Sequence, residues 1–406
     1  MARIILFSYD RAIDRRSLLQ AETLIARGHD VTLYAQENGQ ASQDAPYIRR
    51  VGNAPGEACS NHAFRVLDWR YRLEKMVPGL FRVVLPVLRP LYWMLTGCNP
   101  TSLYLALYKH ALDTMAPADI YIAHDLPMLP VAVAAKERFG GKVIYDSHEL
   151  FCGQEFSALE IRMWQKTERD TIGKADAVIT VNPSIAAELE KTYGVKAGVI
   201  YNAEALPEGA PAQQKRFHTH FGLPDNVRIV LYQGGLSHGR NIDMLVRAMR
   251  AMPQDVHLVV LGCGPALASL KAIAEKEGTA ARVHFHDAVP QAQLLDYTAS
   301  ADLGVIPYRD TCLNYRYCTP NKLFEFIAAG IPIVATDLPE ISRMLREHGI
   351  GMVGNTGNTQ TFSALLRSAL EPAALATLRN NVLEARKTIN WQHEGVRFIE
   401  AVEAVL

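Results

Sequence analysis

The sequence predicts an α/β protein built from two doubly wound halves, each a parallel sheet covered by helices. Three observations predict it. Strand and helix patterns alternate along nearly the whole chain, which demands crossover helices between parallel strands. A length of 406 residues exceeds what one hydrophobic core usually supports. The run Glu204-Ala205-Leu206-Pro207-Glu208-Gly209-Ala210-Pro211 is a proline- and glycine-rich break near the middle, and it sets a boundary between 203 and 204.

The elements follow in order. Residues 2–8 are an apolar run and read as the first strand. Leu18, Leu19, Ala21, Leu24 and Ile25 then form one helical face, and Gly28 stops that helix before the strand Val31-Thr32-Leu33-Tyr34. After a less regular stretch, strands are expected at 119–123, 143–145, 177–181 and 198–201, with helices centred near 134, 163 and 187. The pattern restarts with a strand at 228–232, a helix at 242–252 and a strand at 256–261. Strands near 283, 304, 333 and 352, joined by helical segments, complete the second half. Two such halves place a ligand in a cleft between them, at the carboxyl ends of the strands.

Composition excludes several classes. Hydrophobic residues make up 49% and charged residues 21%, an ordinary globular mix. A formal net charge of +0 gives no long-range attraction to nucleic acid, and no nucleic-acid partner is expected. The apolar start at 1–8 is too short for a signal peptide. The six cysteines, at 59, 98, 152, 263, 312 and 318, show no CxxC and no zinc-finger pairing with histidine. They read as reduced thiols of a cytoplasmic protein.

The segment from Thr319 to Asp337 carries the most information. Pro320 and Asn321 make a turn and a helix start, with Lys322 in the first turn. Leu323, Phe326 and Ile327 form one apolar face, Gly330 ends the helix, and Ile333-Val334-Ala335 reads as a buried strand. A helix start beside a cation suits a phosphate, and Glu325 suits a pair of sugar hydroxyls. The competing reading is an amphipathic helix with ordinary surface charges. Gly234 and Gly235 follow the first strand of the second half, and Arg240 lies just before the next helix, where backbone N–H groups and a fixed charge can close around an anion. Arg240-Asn241 stand where a Walker A loop needs Lys and Ser/Thr, so an ATPase is rejected. Gly262 and Gly264 form a second strand-end turn that lacks the third glycine of a dinucleotide fingerprint. Both turns also fit a purely structural role. In the first half, His124-Asp125 and Asp146-Ser147-His148-Glu149 fall at strand ends, putting two histidines and three carboxylates on one edge. No Asp-x-Asp occurs, so no metal site is expected.

On these residues the chain resembles the retaining family 4 glycosyltransferases, also called glycosyltransferase group 1, over nearly its whole length. The resemblance is strongest from about 228 to 340, through the Gly234-Gly235-Leu236 loop, Val260-Leu261-Gly262-Cys263-Gly264-Pro265, Ala301-Asp302-Leu303-Gly304-Val305-Ile306-Pro307 and the Pro320-Asn321-Lys322-Leu323-Phe324-Glu325 segment. It implies a GT-B fold, two Rossmann-like domains facing across a cleft. The N-terminal domain, 1–203, would bind the acceptor; the C-terminal domain, 204–390, would bind the nucleotide sugar; and a last helix, 391–406, would return to the first domain. It implies a retaining hexosyltransferase that moves a sugar from a nucleotide-diphosphate sugar to an acceptor hydroxyl without metal or other cofactor, UDP being favoured and GDP next. Glu325 would bind the ribose, Arg240 and Lys322 the diphosphate, Gly234 and Gly235 its oxygens, Gly262, Gly264 and Leu323 would complete the donor site, and His148 would face the donor sugar. Two departures stand out. Tyr317 occupies the place of the family's first motif glutamate, and Gly235 that of an arginine. Cys312, Asn314, Tyr315 and Tyr317 are expected to line the sugar pocket.

The acceptor rests on the stretch 65–97, where aromatic and aliphatic residues alternate with arginines and prolines. It reads either as an interfacial segment on the inner face of a membrane or as packed helices of the first domain. The membrane reading makes the acceptor a lipid-linked sugar in surface-polysaccharide synthesis; otherwise a soluble glycan is better. A GT-B sugar-nucleotide epimerase and a non-catalytic nucleotide-binding relative are the alternative functions.

Overall fold

The computed structural model describes residues 1–37, 44–51, 100–206 and 214–406. The stretch 65–97 lies outside them, as does most of the predicted linker. Among the described residues no helix is long and apolar enough to cross a membrane. The chain divides into two units, Met1–Tyr201 with Gly395–Leu406, and Asn202–Glu394.

The first unit is built on β1 (Arg3–Ser8), β2 (Asp30–Gln36), β3 (Ile48–Val51), β4 (Ile120–His124), β5 (Lys142–Ser147), β6 (Ala177–Thr180) and β7 (Gly198–Val199). Their order in the sheet is β3-β2-β1-β4-β5-β6-β7, with every described pairing parallel. Ile4, Leu6, Ile122 and Ile144 are buried, as central parallel strands with helices on both faces require. Side chains start the helices: Asp14 accepts from the Arg16 N–H at 3.0 Å, and Ser157 and Glu160 form a reciprocal capping box. β7 is shorter than the expected 198–201, because the Ile200 carbonyl leaves the ladder to accept from the buried Arg16 guanidinium at 2.8 Å.

The second unit repeats the plan with β8 (Arg228–Gln233), β9 (Val256–Leu261), β10 (Val283–His286), β11 (Leu303–Ile306), β12 (Ile333–Thr336) and β13 (Gly351–Gly354). Their order is β10-β9-β8-β11-β12-β13, again parallel. The strand order reverses between β1 and β4 in one sheet and between β8 and β11 in the other, which is where such folds bind ligands. The helix expected over 242–252 ends early, at Ala248, and tightens into a 3₁₀ turn over Met249–Ala251. Pro253 explains it, since the preceding Met252 must be extended.

One close approach seats the helix Asn321–Ala329 on the second sheet. A methyl group on Gly304, within β11, would stand 2.6 Å from the ring of the fully buried Phe326. Gly304→Ala is therefore expected to destabilise the unit by about 1–3 kcal/mol through overpacking. Thermal unfolding would show it as a drop of roughly 2–4 °C per kcal/mol, and an unchanged melting temperature would refute this packing.

Candidate functional site

The second unit's site grows from the carboxyl end of β8. Gln233, its last residue, donates from Nε2 to Glu325 Oε2 and accepts from the Thr298 hydroxyl at 2.9 Å. Glu325 lies on the helix Asn321–Ala329, three residues after Lys322, so one face of that helix carries both charges. Neither is a surface charge, for Lys322 is 5% exposed and Glu325 8%.

Lys322 Nζ is buried and makes no hydrogen bond among the described residues. It sits 4.2 Å from the ring centre of Tyr232 and 4.9 Å from that of Tyr308. The Arg240 guanidinium lies 4.7 Å from the same Tyr308 ring and donates to the Tyr308 hydroxyl. The ring faces favour both cations, yet two positive groups now share one aromatic wall. Burial draws the Lys322 ammonium well below the usual lysine range and Arg240 pushes the same way, against Glu325. Burial pushes the nearby Cys318 thiol up to about 12, which keeps it protonated and unreactive. An anion beside Lys322 and Arg240 would relieve this arrangement.

The glycines have separable parts. A methyl group on Gly262 would meet the Gly234 carbonyl oxygen at 2.1 Å, and one on Gly264 would meet the Leu236 oxygen at 2.5 Å. Both have positive φ, and the Leu236 N–H donates to the Cys263 carbonyl at 2.9 Å. Gly262 and Gly264 thus let two strand-end loops stack, which holds the Gly234–Leu236 backbone in place. Gly234 adjoins Lys322, since a methyl group on it would stand 3.4 Å from Nζ, and Gly235 faces open space where the family carries an arginine. Leu323 is fully buried and its N–H is given to the Pro320 carbonyl at 2.8 Å. Of the expected sugar-pocket residues, Tyr315 lies against Tyr308 with ring centres 5.6 Å apart, and Asn314 is buried. Tyr317 ends the short helix Leu313–Tyr317.

Sequence reading missed Tyr232 and Tyr308 as site residues and gave Gln233 and Asn241 no role of their own. Tyr232 and Gln233 end a strand whose apolar pattern hides them. Asn241 holds a left-handed backbone and is fixed by bonds to the Thr356 carbonyl at 3.0 Å and from Arg309 at 2.8 Å. That places the turn after Arg240, and the signal for it was a small polar residue before a helix.

The first unit holds a separate cluster. His124 ends β4, and Asp146 lies near the end of β5 with His148 just beyond. Arg16 Nε and Nη2 each donate to Asp146 at 2.9 Å, both residues being 0% exposed. Burial alone would raise the Asp146 carboxyl, but Arg16 and His148 outweigh it and hold it well below the usual range. His148 is likewise opposed by burial, yet Asp125, Asp146 and Asp14 carry it up to about 9. Ligand atoms of His124, Asp146 and His148 lie within 4.8 Å of one another. Both Asp146 oxygens are already committed to Arg16, and its fixed positive charge opposes a metal ion there.

The family model for "Glycosyl transferases group 1" matches residues 227–371, and that for "Glycosyl transferase 4-like domain" matches 12–202. The chain belongs to the group 1, family 4 glycosyltransferases. It is 24% identical over 297 residues to TuaC of Bacillus subtilis, a candidate teichuronic acid biosynthesis glycosyltransferase, covering 70% of this chain and 71% of TuaC. For some curated relatives the match spans less than two thirds of the partner's length, 58% for a D-inositol 3-phosphate glycosyltransferase of Xylanimonas cellulosilytica and 53% for TuaH of Bacillus subtilis. Sucrose-phosphate synthase of Thermosynechococcus elongatus has the same fold, with a TM-score of 0.75 at 17% identity over 100% of this chain and 99% of that one. Anabaena HepE, solved in complex with UDP and glucose, gives 0.72 at 16% identity over 99% and 100%. The fold is GT-B.

Removing the buried Lys322 charge of this glycosyltransferase has a definite sign. Lys322→Met keeps volume and discards a buried ammonium, so the ligand-free protein is expected to gain stability. Because the folded pKa of Lys322 is depressed, the unfolded chain binds more protons between that value and the ordinary one near 10.5. The wild-type deficit relative to Lys322→Met therefore shrinks as pH rises through that window. Denaturant unfolding from pH 7 to 10 checks it; a gap that widens with pH would overturn the assignment of Lys322 as an uncompensated cation.

Proposed function

We propose that this glycosyltransferase takes its sugar from a nucleoside-diphosphate donor held in the second unit, UDP being favoured and GDP next. The observation that carries the reading is the buried Lys322 ammonium. It has no hydrogen-bond partner among the described residues, and Gly234 and Arg240 lie close by. A diphosphate supplies the missing negative charge, and the Gly234–Gly235 backbone gives it room to approach. Glu325, one turn further along the same helix, is suited to accept from the two ribose hydroxyls. HepE, with its bound UDP, supports the choice of base.

In transfer, charge develops on the leaving diphosphate, and Arg240 and Lys322 stabilise it electrostatically without a metal. His148, through the family resemblance, acts on the sugar being moved. The acceptor hydroxyl attacks the anomeric carbon from the face the diphosphate leaves, the diphosphate oxygen takes the proton, and configuration is retained. The acceptor is a glycan or lipid-linked intermediate of surface-polysaccharide synthesis at the cytoplasmic face of the membrane, a reading supported by the similarity to TuaC.

Thermal stabilisation by UDP, GDP, ADP and NAD, repeated with Glu325→Ala and Arg240→Ala, tests the donor site. UDP at 100 times its Kd should stabilise the wild type by about 2.7 kcal/mol and neither variant at the same concentration. Preference for NAD, or a UDP response in both variants unchanged from that of the wild type, would sink the reading. Product analysis without acceptor should show no epimerised nucleotide sugar, and with acceptor the anomeric proton coupling should report retention.

A further inference from the structure

The first unit contains a second imidazole that the proposed reaction leaves without a part. His124 Nδ1 and His148 Nε2 stand 3.0 Å apart. His124 is 1% exposed, so it cannot meet a substrate itself. Asp146 Oδ2 lies 3.6 Å from His124 Nδ1 and 3.4 Å from His148 Nε2. Arg16 grips both Asp146 oxygens and Gln20 Nε2 donates to Oδ2 at 2.5 Å, so the carboxylate cannot swing to follow either ring.

On its other side, His148 Nδ1 faces Asp125 at 3.7 Å and Asp14 at 3.8 Å, and its backbone N–H donates to Asp125 Oδ1 at 2.8 Å. Asp10 also acts on His148, and Glu149 on Asp125. Burial opposes protonation of His124, as do His148 and Arg16, and among the described residues Asp146 favours it.

A bond between two imidazole nitrogens holds one proton, and these surroundings put it on His148. We propose that His124 is a positioning residue for His148: its bare Nδ1 accepts the His148 Nε2–H and fixes that ring as an imidazolium during sugar transfer. The proposal rests on the reading of His148 as the group that acts on the donor sugar. His148 then serves as a fixed cation and hydrogen-bond donor, and not as a general base. The arrangement leaves His124 Nε2 buried without a hydrogen-bond partner among the described residues, which costs stability. Burial holds His124 below its ordinary pKa, while Asp125, its own carboxyl pushed up by burial, joins Asp146 and Asp14 in carrying His148 up to about 9.

Two substitutions separate position from packing. His124→Asn keeps an acceptor near the Nδ1 place, whereas His124→Leu fills the space without one. His124→Leu should lower kcat roughly 100-fold and shift the donor KM by less than about threefold, and His124→Asn should recover most of the loss. Wild-type kcat should hold from pH 7 and fall as pH rises through about 9, where His148 loses its proton. Nitrogen-15 spectra of the labelled wild type at pH 7 should show His148 protonated on both nitrogens and His124 on Nε2 alone. A proton on His124 Nδ1, or equal impairment of the two variants, would overturn the proposal. The spectra need no turnover. If UDP binds and the tautomers are reversed, the positioning role alone fails; if UDP does not bind, the donor reading fails while the spectra still decide the tautomers.

Discussion

A lysine ammonium withheld from water, with no hydrogen-bond acceptor among the described residues, governs the second unit. Lys322 is kept there by sequence-distant parts: Tyr232 from β8, Tyr308 beyond β11, and its own helix seated on Gly304. None of these removes the cost of the buried charge; the tyrosine faces only lessen it. The loop that borders it is held by backbone bonds to the β9 turn, so its polar groups are fixed in place.

The first unit solves the opposite problem. Its buried charge, the Arg16–Asp146 pair, is matched by two-point hydrogen bonding and by Gln20, and the surplus negative charge nearby is what keeps His148 protonated. Breaking such a pair leaves one ion stranded, so its geometry is strongly enforced. The histidines inherit that rigidity. A ring whose carboxylate neighbour cannot move is itself confined to a narrow range of positions.

Much of this was legible from residue order. Strand–helix alternation gave both parallel sheets, and the helix Asn321–Ala329 begins and ends where Pro320 and Gly330 place it. The paired histidines and carboxylates at two strand ends do meet. The glycine turns were harder, because Gly262 and Gly264 make the same pattern whether a phosphate or another loop approaches; the Gly234 and Leu236 carbonyls are what they accommodate. Tyr232 escaped notice because an apolar strand pattern gives no sign that one of its rings faces Lys322.

The sequence by itself determined most of the elements, the doubling of the fold and the family, since periodicity, punctuation and short motifs are local properties of the chain; the strand Ile48–Val51 and the helix Pro100–Thr114 were not foreseen. Only the tertiary structure decided what the charges are worth. Whether Lys322 and Glu325 lie at the surface or in the interior, and which of two histidines keeps the proton, depends on groups far apart in sequence, because desolvation and Coulomb energy follow distance in space.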